Sequence, residues 1–209
     1  MIKVLIADDH TIVRHGLKQI LAADPQIDVC CEAQNGNEVI DFVRQRPVDV
    51  VVMDITMPGR NGLETLKDLK RIKPELPVLI LSMHPQDQYA VRVLKAGAAG
   101  YITKESAPEE LVAAIKKANQ GHKHISPDVA ELLAMYIERG NNEEAHKTLS
   151  DREFEVLVMI GQGRSLTEIS DALFLSVKTV STYRSRILEK TGLPNNAAIT
   201  RYCVQHGLS

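Results

Sequence analysis

Five residues with useful chemistry stand where short apolar runs end. Asp8 and Asp9 follow Ile2–Ala7, Asp54 follows Val48–Met53, Ser82 follows Val78–Leu81, and Lys104 follows Gly100–Thr103. If these runs are parallel strands of one sheet, their carboxyl ends share one edge, and ligands of open α/β sheets sit there. Three carboxylates gathered at one edge repel one another unless a cation lies between them. Oxygen donors completed by water suit Mg2+. A lysine ammonium and a serine hydroxyl beside them complete a site for a phosphoryl group. The chemistry suggested is phosphorylation of one carboxylate, because a carboxylate acting as nucleophile forms an acyl phosphate. A lone Asp after a strand more often caps a turn or helix. Five residues of complementary chemistry at four strand ends exceed what independent caps require.

The elements that must position these residues are readable as two rhythms. In residues 1–121, the apolar runs Ile2–Ala7, Ile27–Cys31, Val48–Met53, Val78–Leu81 and Gly100–Thr103 alternate with amphipathic stretches. Examples are Ile12, Leu17, Ile20 and Leu21, and then Leu63, Leu66 and Leu69. The last stretch, with Leu111, Val112 and Ile115, stops near Gly121. Five strands alternating with helices predict an α/β, doubly wound, five-stranded parallel sheet. The third and fourth runs are apolar throughout, as expected when helices cover both faces.

Residues 122–147 read as a linker, with a helix opened by Ser126-Pro127 and running through Ile137, then a polar stretch from Gly140 to Glu144. Residues 148–209 show no strand alternation. Ser150 with Glu153 and Ser165 with Glu168 fit capping boxes, and Ser176 fits a third N-cap. A last helix spans Asn196 to His206, with Gly207 as its stop. This half is predicted to be an all-α four-helix domain.

Composition narrows the function classes. The chain has 209 residues, with 25 Lys plus Arg against 27 Asp plus Glu, a formal net charge of −2. Hydrophobic residues at 44% and charged residues at 25% argue against disorder. With no basic excess, any nucleic-acid site must be local. The apolar runs fall short of the ~20 residues of a membrane helix. Only Lys3 and Val4–Ala7 precede two aspartates, so no signal peptide is readable. Cys30 and Cys31 are adjacent and point to opposite strand faces, which implies no disulfide framework and a reduced cytoplasmic setting. Aromatics at 4%, with no Trp, disfavour a base-stacking platform for single strands.

A local site does exist in outline. Gly163–Ser170 and Leu173–Val180 suggest a helix, a short turn and a second helix from Val177 to Thr191. Val180, Ile187 and Leu188 form its apolar stripe. Lys178, Thr179, Ser181, Thr182, Arg184, Ser185 and Arg186 fill much of the rest. Small hydroxyls and cations allow close approach to phosphates and base edges. From Gln162 to Lys190, the five cations Arg164, Lys178, Arg184, Arg186 and Lys190 face the three acids Glu168, Asp171 and Glu189.

The first half resembles the receiver domain of bacterial response regulators. The resemblance is carried by Asp8-Asp9-His10, the run from Val51 to Gly59, Asn61–Glu64, Leu79–Ser82, and the run from Ala96 to Lys104. It implies a flavodoxin-like fold in which Asp54 accepts phosphate from the phosphohistidine of a sensor histidine kinase. Asp8, Asp9 and Asp54 would hold Mg2+, with the backbone carbonyl of Thr56 as a further ligand. Lys104 would pair with the phosphoryl oxygens. Ser82 and Tyr101 match the family's switch pair, the hydroxyl moving toward the phosphoryl group while the ring swings inward.

The second half resembles the LuxR-type helix-turn-helix of the NarL/FixJ-like group. The matching residues are Leu149–Glu153, Val156-Leu157, Leu175–Val180, Arg186–Leu193, Arg201-Tyr202 and Gly207-Leu208. Ser165–Ser170 depart from the usual scaffold helix, and Tyr183 stands where His is frequent. The resemblance implies that Lys178 and Thr179 touch phosphates, that Ser181, Thr182 and Ser185 face bases, and that Arg186 joins the DNA-binding set. The final helix would serve as a dimer surface. The implied partners are the kinase, double-stranded promoter DNA and a second copy of the chain on that DNA, with RNA polymerase left open and no membrane. Such a receiver catalyses only its own phosphorylation and dephosphorylation.

Two other classes compete. One is a Mg2+-dependent aspartyl-phosphate phosphatase or phosphotransferase, but Thr56 stands where such enzymes need a second carboxylate. The other is a protein-interaction regulator that contacts no DNA. Among smaller features, His122-Lys123-His124 read as exposed linker histidines rather than zinc ligands. His84, just past Ser82, reads equally as a plain loop residue or as a group that tunes hydrolysis of the acyl phosphate, and Cys203 is an apolar residue of the last helix.

Overall fold

The computed structural model describes residues 1–83, 88–138 and 145–208. His84 and the polar stretch from Gly140 to Glu144 lie outside the described residues. The chain divides into two compact units, Met1–Met135 and Tyr136–Ser209.

In the first unit, strands and helices alternate as β1 (Ile2–Ala7), α1 (Thr11–Ala22), β2 (Ile27–Ala33), α2 (Gly36–Gln45), β3 (Val50–Asp54), α3 (Gly62–Ile72), β4 (Val78–Ser82), α4 (Gln88–Lys95), β5 (Gly100–Thr103) and α5 (Ala107–Asn119). The sheet order is β2-β1-β3-β4-β5 and every pairing is parallel. This is the flavodoxin-like order, whose direction reverses between β1 and β3. β3 and β4 are buried along their whole length. Alternation divides their side chains between two faces. Val4, Ile6, Val50, Val52, Leu79, Leu81 and Ile102 pack with Leu17 and Leu21 of α1 and with Leu111, Ala114 and Ile115 of α5. Leu5, Val51, Met53, Ile80 and Tyr101 are buried on the other face.

The helices start where polar side chains replace missing backbone partners. Asn35 Oδ1 accepts from the amides of Asn37 and Glu38, and Asn61 Oδ1 from that of Glu64. Val48 is buried but lies outside the β3 ladder. Asp49 there forms a clamp with Lys3, each amide donating to the other residue, to Asp49 Oδ2 and to the Lys3 carbonyl. Beyond α5, His124 is a correction to the exposed-linker reading. Its amide donates to the Ala99 carbonyl at 2.7 Å, its backbone bridges Gly100, and its ring lies 3.1 Å from Glu110. The next helix, α6 (Pro127–Glu138), buries Val129 in this unit.

The second unit holds a 3-10 turn at Ala145–Thr148 and then α7 (Asp151–Gly161), α8 (Leu166–Leu173), α9 (Val177–Thr191) and α10 (Asn196–Gln205). Both expected capping boxes are present, Ser150 with Glu153 and Ser165 with Glu168. Ser176 caps α9 and Asn195 caps α10. α7 contacts α8, α9 and α10, and α8 contacts α9. Phe154, Leu157, Ile160, Ile169, Val180, Ile187, Ile199 and Cys203 are buried there. Among the described residues, no helix is long and apolar enough to cross a membrane.

Candidate functional site

The ends of β1, β3, β4 and β5 bring the strand-end residues together. Asp54 and Ser82 are the last residues of β3 and β4, one position inside the strands rather than beyond them. Lys104 Nζ lies 2.6 Å from Asp8 Oδ2 and 2.8 Å from Asp54 Oδ2. One ammonium therefore joins carboxylates 46 positions apart in sequence (54 − 8) on neighbouring strands. Asp8 Oδ1 accepts from the His10 amide at 2.8 Å, and Asp54 Oδ1 accepts more loosely from the Thr56 amide at 3.3 Å. The Lys104 amide donates to the Ser82 carbonyl at 2.8 Å, which ties the ends of β4 and β5 together. Ser82 is buried. Tyr101 is only 1% exposed.

The electrostatics follow from burial. Desolvation pushes the Asp54 carboxyl up to about 6, helped by the Asp8 charge and opposed by Lys104. Burial works against the Lys104 ammonium as well, but Asp54 and Asp8 outweigh it and hold Lys104 above the ordinary lysine range. Asp9 Oδ1 is buried and accepts no hydrogen bond, although His10 Nδ1 stands 2.9 Å away. Donor atoms of Asp8, Asp9, His10 and Asp54 all fall within 4.8 Å of one another. A buried, unbonded carboxylate oxygen beside two more carboxylates fits a hard divalent cation.

Two contributors are absent from the sequence reading. Arg14 is buried on α1, where Nη1 donates to the Asp8 carbonyl at 2.7 Å and Nε lies 3.5 Å from Glu32. Its signal was a cation three residues before Leu17, inside the apolar stripe of the helix. Gly62 is the other. Its amide donates to the Ile55 carbonyl, and a Cβ there would stand 2.5 Å from the Asp54 carbonyl oxygen and 2.7 Å from Ile55 Cα. Backbone cannot give way as a flexible side chain can. Gly62→Ala is expected to lower stability by about 2 kcal/mol. Urea unfolding checks this, and an unchanged midpoint would contradict the close approach.

On α9, Lys178, Thr182, Ser185 and Arg186 are exposed, while Thr179 and Ser181 are half-buried. Several hydroxyls are engaged by the helix itself. Thr182 Oγ1 donates to the Lys178 carbonyl, Ser185 Oγ to the Ser181 carbonyl, and Thr179 Oγ1 lies 2.8 Å from Ser176 Oγ. The Thr182 and Ser185 protons are used locally, so those oxygens can still accept hydrogen bonds, and Thr182 can also offer its methyl group. Arg184 and Lys190 have structural partners: Arg184 Nε donates to Asn196 Oδ1 at 2.6 Å, and Lys190 Nζ lies 2.6 Å from Glu153. Lys178 and Arg186 are therefore the exposed cations of the expected DNA-binding set.

The family model described as response regulator receiver domain matches residues 4–116, and that described as bacterial regulatory proteins, luxR family, matches residues 147–203. The response regulator UvrY of Escherichia coli K12 is 38% identical over 209 residues, covering 100% of this chain and 96% of its own. The response regulator GacA of Pseudomonas aeruginosa is also 38% identical over 209 residues, covering 100% of this chain and 98% of its own. A structure of RcsB from Salmonella enterica serovar Typhimurium, bound to promoter P1flhDC in the presence of phosphomimetic BeF3-, is 29% identical. It covers 100% of this chain and 99% of that one, with a TM-score of 0.61. An acidic sheet-end pocket on one unit and a helix-turn-helix on the other thus meet a full-length match to regulators of the same build, and the chain belongs to the two-component response regulators that join a receiver domain to a LuxR-type DNA-binding domain and control transcription.

Proposed function

We propose that Asp54 takes a phosphoryl group from the phosphohistidine of a sensor histidine kinase, and that this controls dimerisation and binding of α9 to double-stranded promoter DNA. The observation that carries the reading is the Lys104 ammonium held within hydrogen-bonding distance of both Asp8 and Asp54. In the transfer, an Asp54 carboxylate oxygen forms the new bond to phosphorus as the nitrogen–phosphorus bond of the donor breaks. Asp54 Oδ1, with its one long contact, is the less committed oxygen of that pair of acids. Lys104 then follows the phosphoryl oxygens and leaves the carboxylate it held. Asp8, Asp9, Asp54 and the Thr56 carbonyl would hold Mg2+, which supplies charge neutralisation for the incoming oxygens. Ser82 and Tyr101 would report the new charge by moving as a pair.

We assign residues 1–121 to the phosphoacceptor receiver, 122–147 to the linker and 148–209 to the DNA-binding domain. The receiver acts on itself only, consistent with Thr56 in place of a second carboxylate. A cytoplasmic location follows from the promoter as target. The RcsB structures, one of them of two RcsB dimers bound to two parallel DNAs, support a dimer on DNA here. RNA polymerase is a further candidate partner.

The test is phosphorylation by acetyl phosphate with and without Mg2+, read by intact-mass spectrometry, followed by binding to duplexes selected from a random pool. Uptake of one phosphoryl group only with Mg2+, and tighter DNA binding afterwards, is expected. Steady turnover of phosphoesters would favour the phosphatase class instead. Within the DNA interface, Lys178→Ala is expected to weaken all duplexes alike and to reduce the slope of log K against log salt by about one. An unchanged slope would remove Lys178 from the phosphate contacts.

A further inference from the structure

Phe174 is out of place by the ordinary rules. It ends α8 in the left-handed conformation, φ 54° and ψ 43°, and among the described residues it is the one non-glycine with positive φ. Gly or Asn meets that geometry with less strain. Its amide and that of Leu175 close the helix onto Asp171 and Ser170, a task of the backbone alone. The side chain adds little to the core, since it is 63% exposed while its neighbour Leu173 is buried. Of the three phenylalanines in the chain, Phe154 is buried and Phe42 half-buried. Three residues after Phe174, Val177 opens α9 and is 45% exposed. The start of α9 therefore presents an aromatic and a branched aliphatic side chain to solvent beside the exposed Lys178.

Strain and exposure at one position point to a contact made elsewhere. Val177 precedes Lys178 in the chain, so these side chains stand at the N-terminal end of α9, the end that carries Lys178. In a helix-turn-helix, the N-terminal residues of the second helix reach base edges in the major groove. The apolar group on those edges is the thymine 5-methyl. We propose that Phe174, with Val177, packs against thymine methyl groups at the edge of the half-site and adds sequence preference that the short hydroxyls of α9 do not supply. This rests on the reading of α9 as the recognition helix.

The experiment uses the full chain and one duplex selected by it. Affinity is measured on that duplex and on a copy in which deoxyuridine, lacking the methyl group, replaces thymidine. Phe174→Gly and Phe174→Asn suit the left-handed position, so melting temperatures equal to or above that of the wild type are expected. Both variants should bind the thymine duplex about tenfold more weakly, the scale of losing the discrimination carried by one base pair, with an unchanged salt slope. The wild type should lose a similar factor on the deoxyuridine duplex, where the variants should lose nothing further. An equal loss on both duplexes would assign Phe174 to the sugars and overturn the proposal. Full affinity of the variants would overturn it too. If the wild type selects no duplex at all, the reading of α9 falls and the proposal falls with it.

Discussion

Asp54→Asn is expected to lose phosphoryl uptake by more than about a thousandfold, the scale seen when a nucleophile is removed, and yet to unfold later than the wild type at neutral to alkaline pH. Both outcomes come from one feature. The Asp54 carboxyl is buried at the end of the central strand β3, and burial raises it to about 6 from 3.8. The folded state therefore binds the Asp54 proton more tightly than the unfolded chain does. That difference stabilises the fold fully below 3.8 and is lost as pH rises through about 6. Above this window the ionised carboxylate is a cost, offset in part by Lys104. Asn keeps the shape and removes the charge. In a chelator at about pH 8 the variant should gain about 2 kcal/mol, and at about pH 4.5 the gap should shrink to about a third of that. Urea unfolding at the two pH values, beside mass spectrometry after acetyl phosphate, reads both effects. A variant less stable than the wild type at about pH 8 would refute the burial argument. A variant that still took up phosphate would refute Asp54 as acceptor.

The expected gain in the variant follows from how the pocket is arranged. Charge concentrated for reaction destabilises the unliganded site. Lys104 is a stand-in cation for that state, close to both Asp8 and Asp54, and it must be drawn off one of them when a phosphoryl group arrives.

Much of this site was legible because sheet geometry turns sequence order into position. A polar residue after an apolar run had to fall at the strand's carboxyl end, and four runs with such endings had to share an edge. The bounds of α9 were legible for a local reason, since Ser176 caps its start and Gly192, with φ 69°, ends it. What was not legible depends on contacts remote in sequence. The docking of His124 beside Gly100 joins a segment beyond α5 to the edge strand, and no local pattern announces it. Arg14 has no role that residue types announce, because its guanidinium is held by the Asp8 carbonyl, a contact that depends on how α1 packs. The half-burial of Ser181 is likewise not resolved by a polar-versus-apolar pattern. The strained conformation of Phe174 leaves no trace in residue types, because the sequence offers a large aromatic where turn chemistry favours Gly or Asn.

Phe154→Ala is expected to unfold the second unit and spare the first. Phe154 is 1% exposed on α7, the helix that α8, α9 and α10 contact. Its ring stands 5.9 Å from that of His146, which in turn lies 2.8 Å through Nδ1 from the Tyr202 hydroxyl on α10. Truncation removes the packing that joins the 3-10 turn at Ala145–Thr148 to α7 and leaves a cavity, and such changes cost about 3–5 kcal/mol. A core of this size rarely supplies more than about 3–5 kcal/mol in total, so the loss is comparable to the whole stability of the unit. The first unit has its own core between the sheet and α1 and α5, and none of those residues belongs to α7. DNA binding should therefore disappear while Mg2+-dependent phosphoryl uptake continues at the wild-type rate. Phe154→Leu, which refills most of the cavity, should retain DNA binding with a lowered melting temperature. Circular dichroism melting and phosphorylation of the same samples separate the cases. Loss of both activities together in Phe154→Ala would mean that the two units do not fold independently, and it would also remove the basis for treating phosphorylation as a signal passed from one stable body to another.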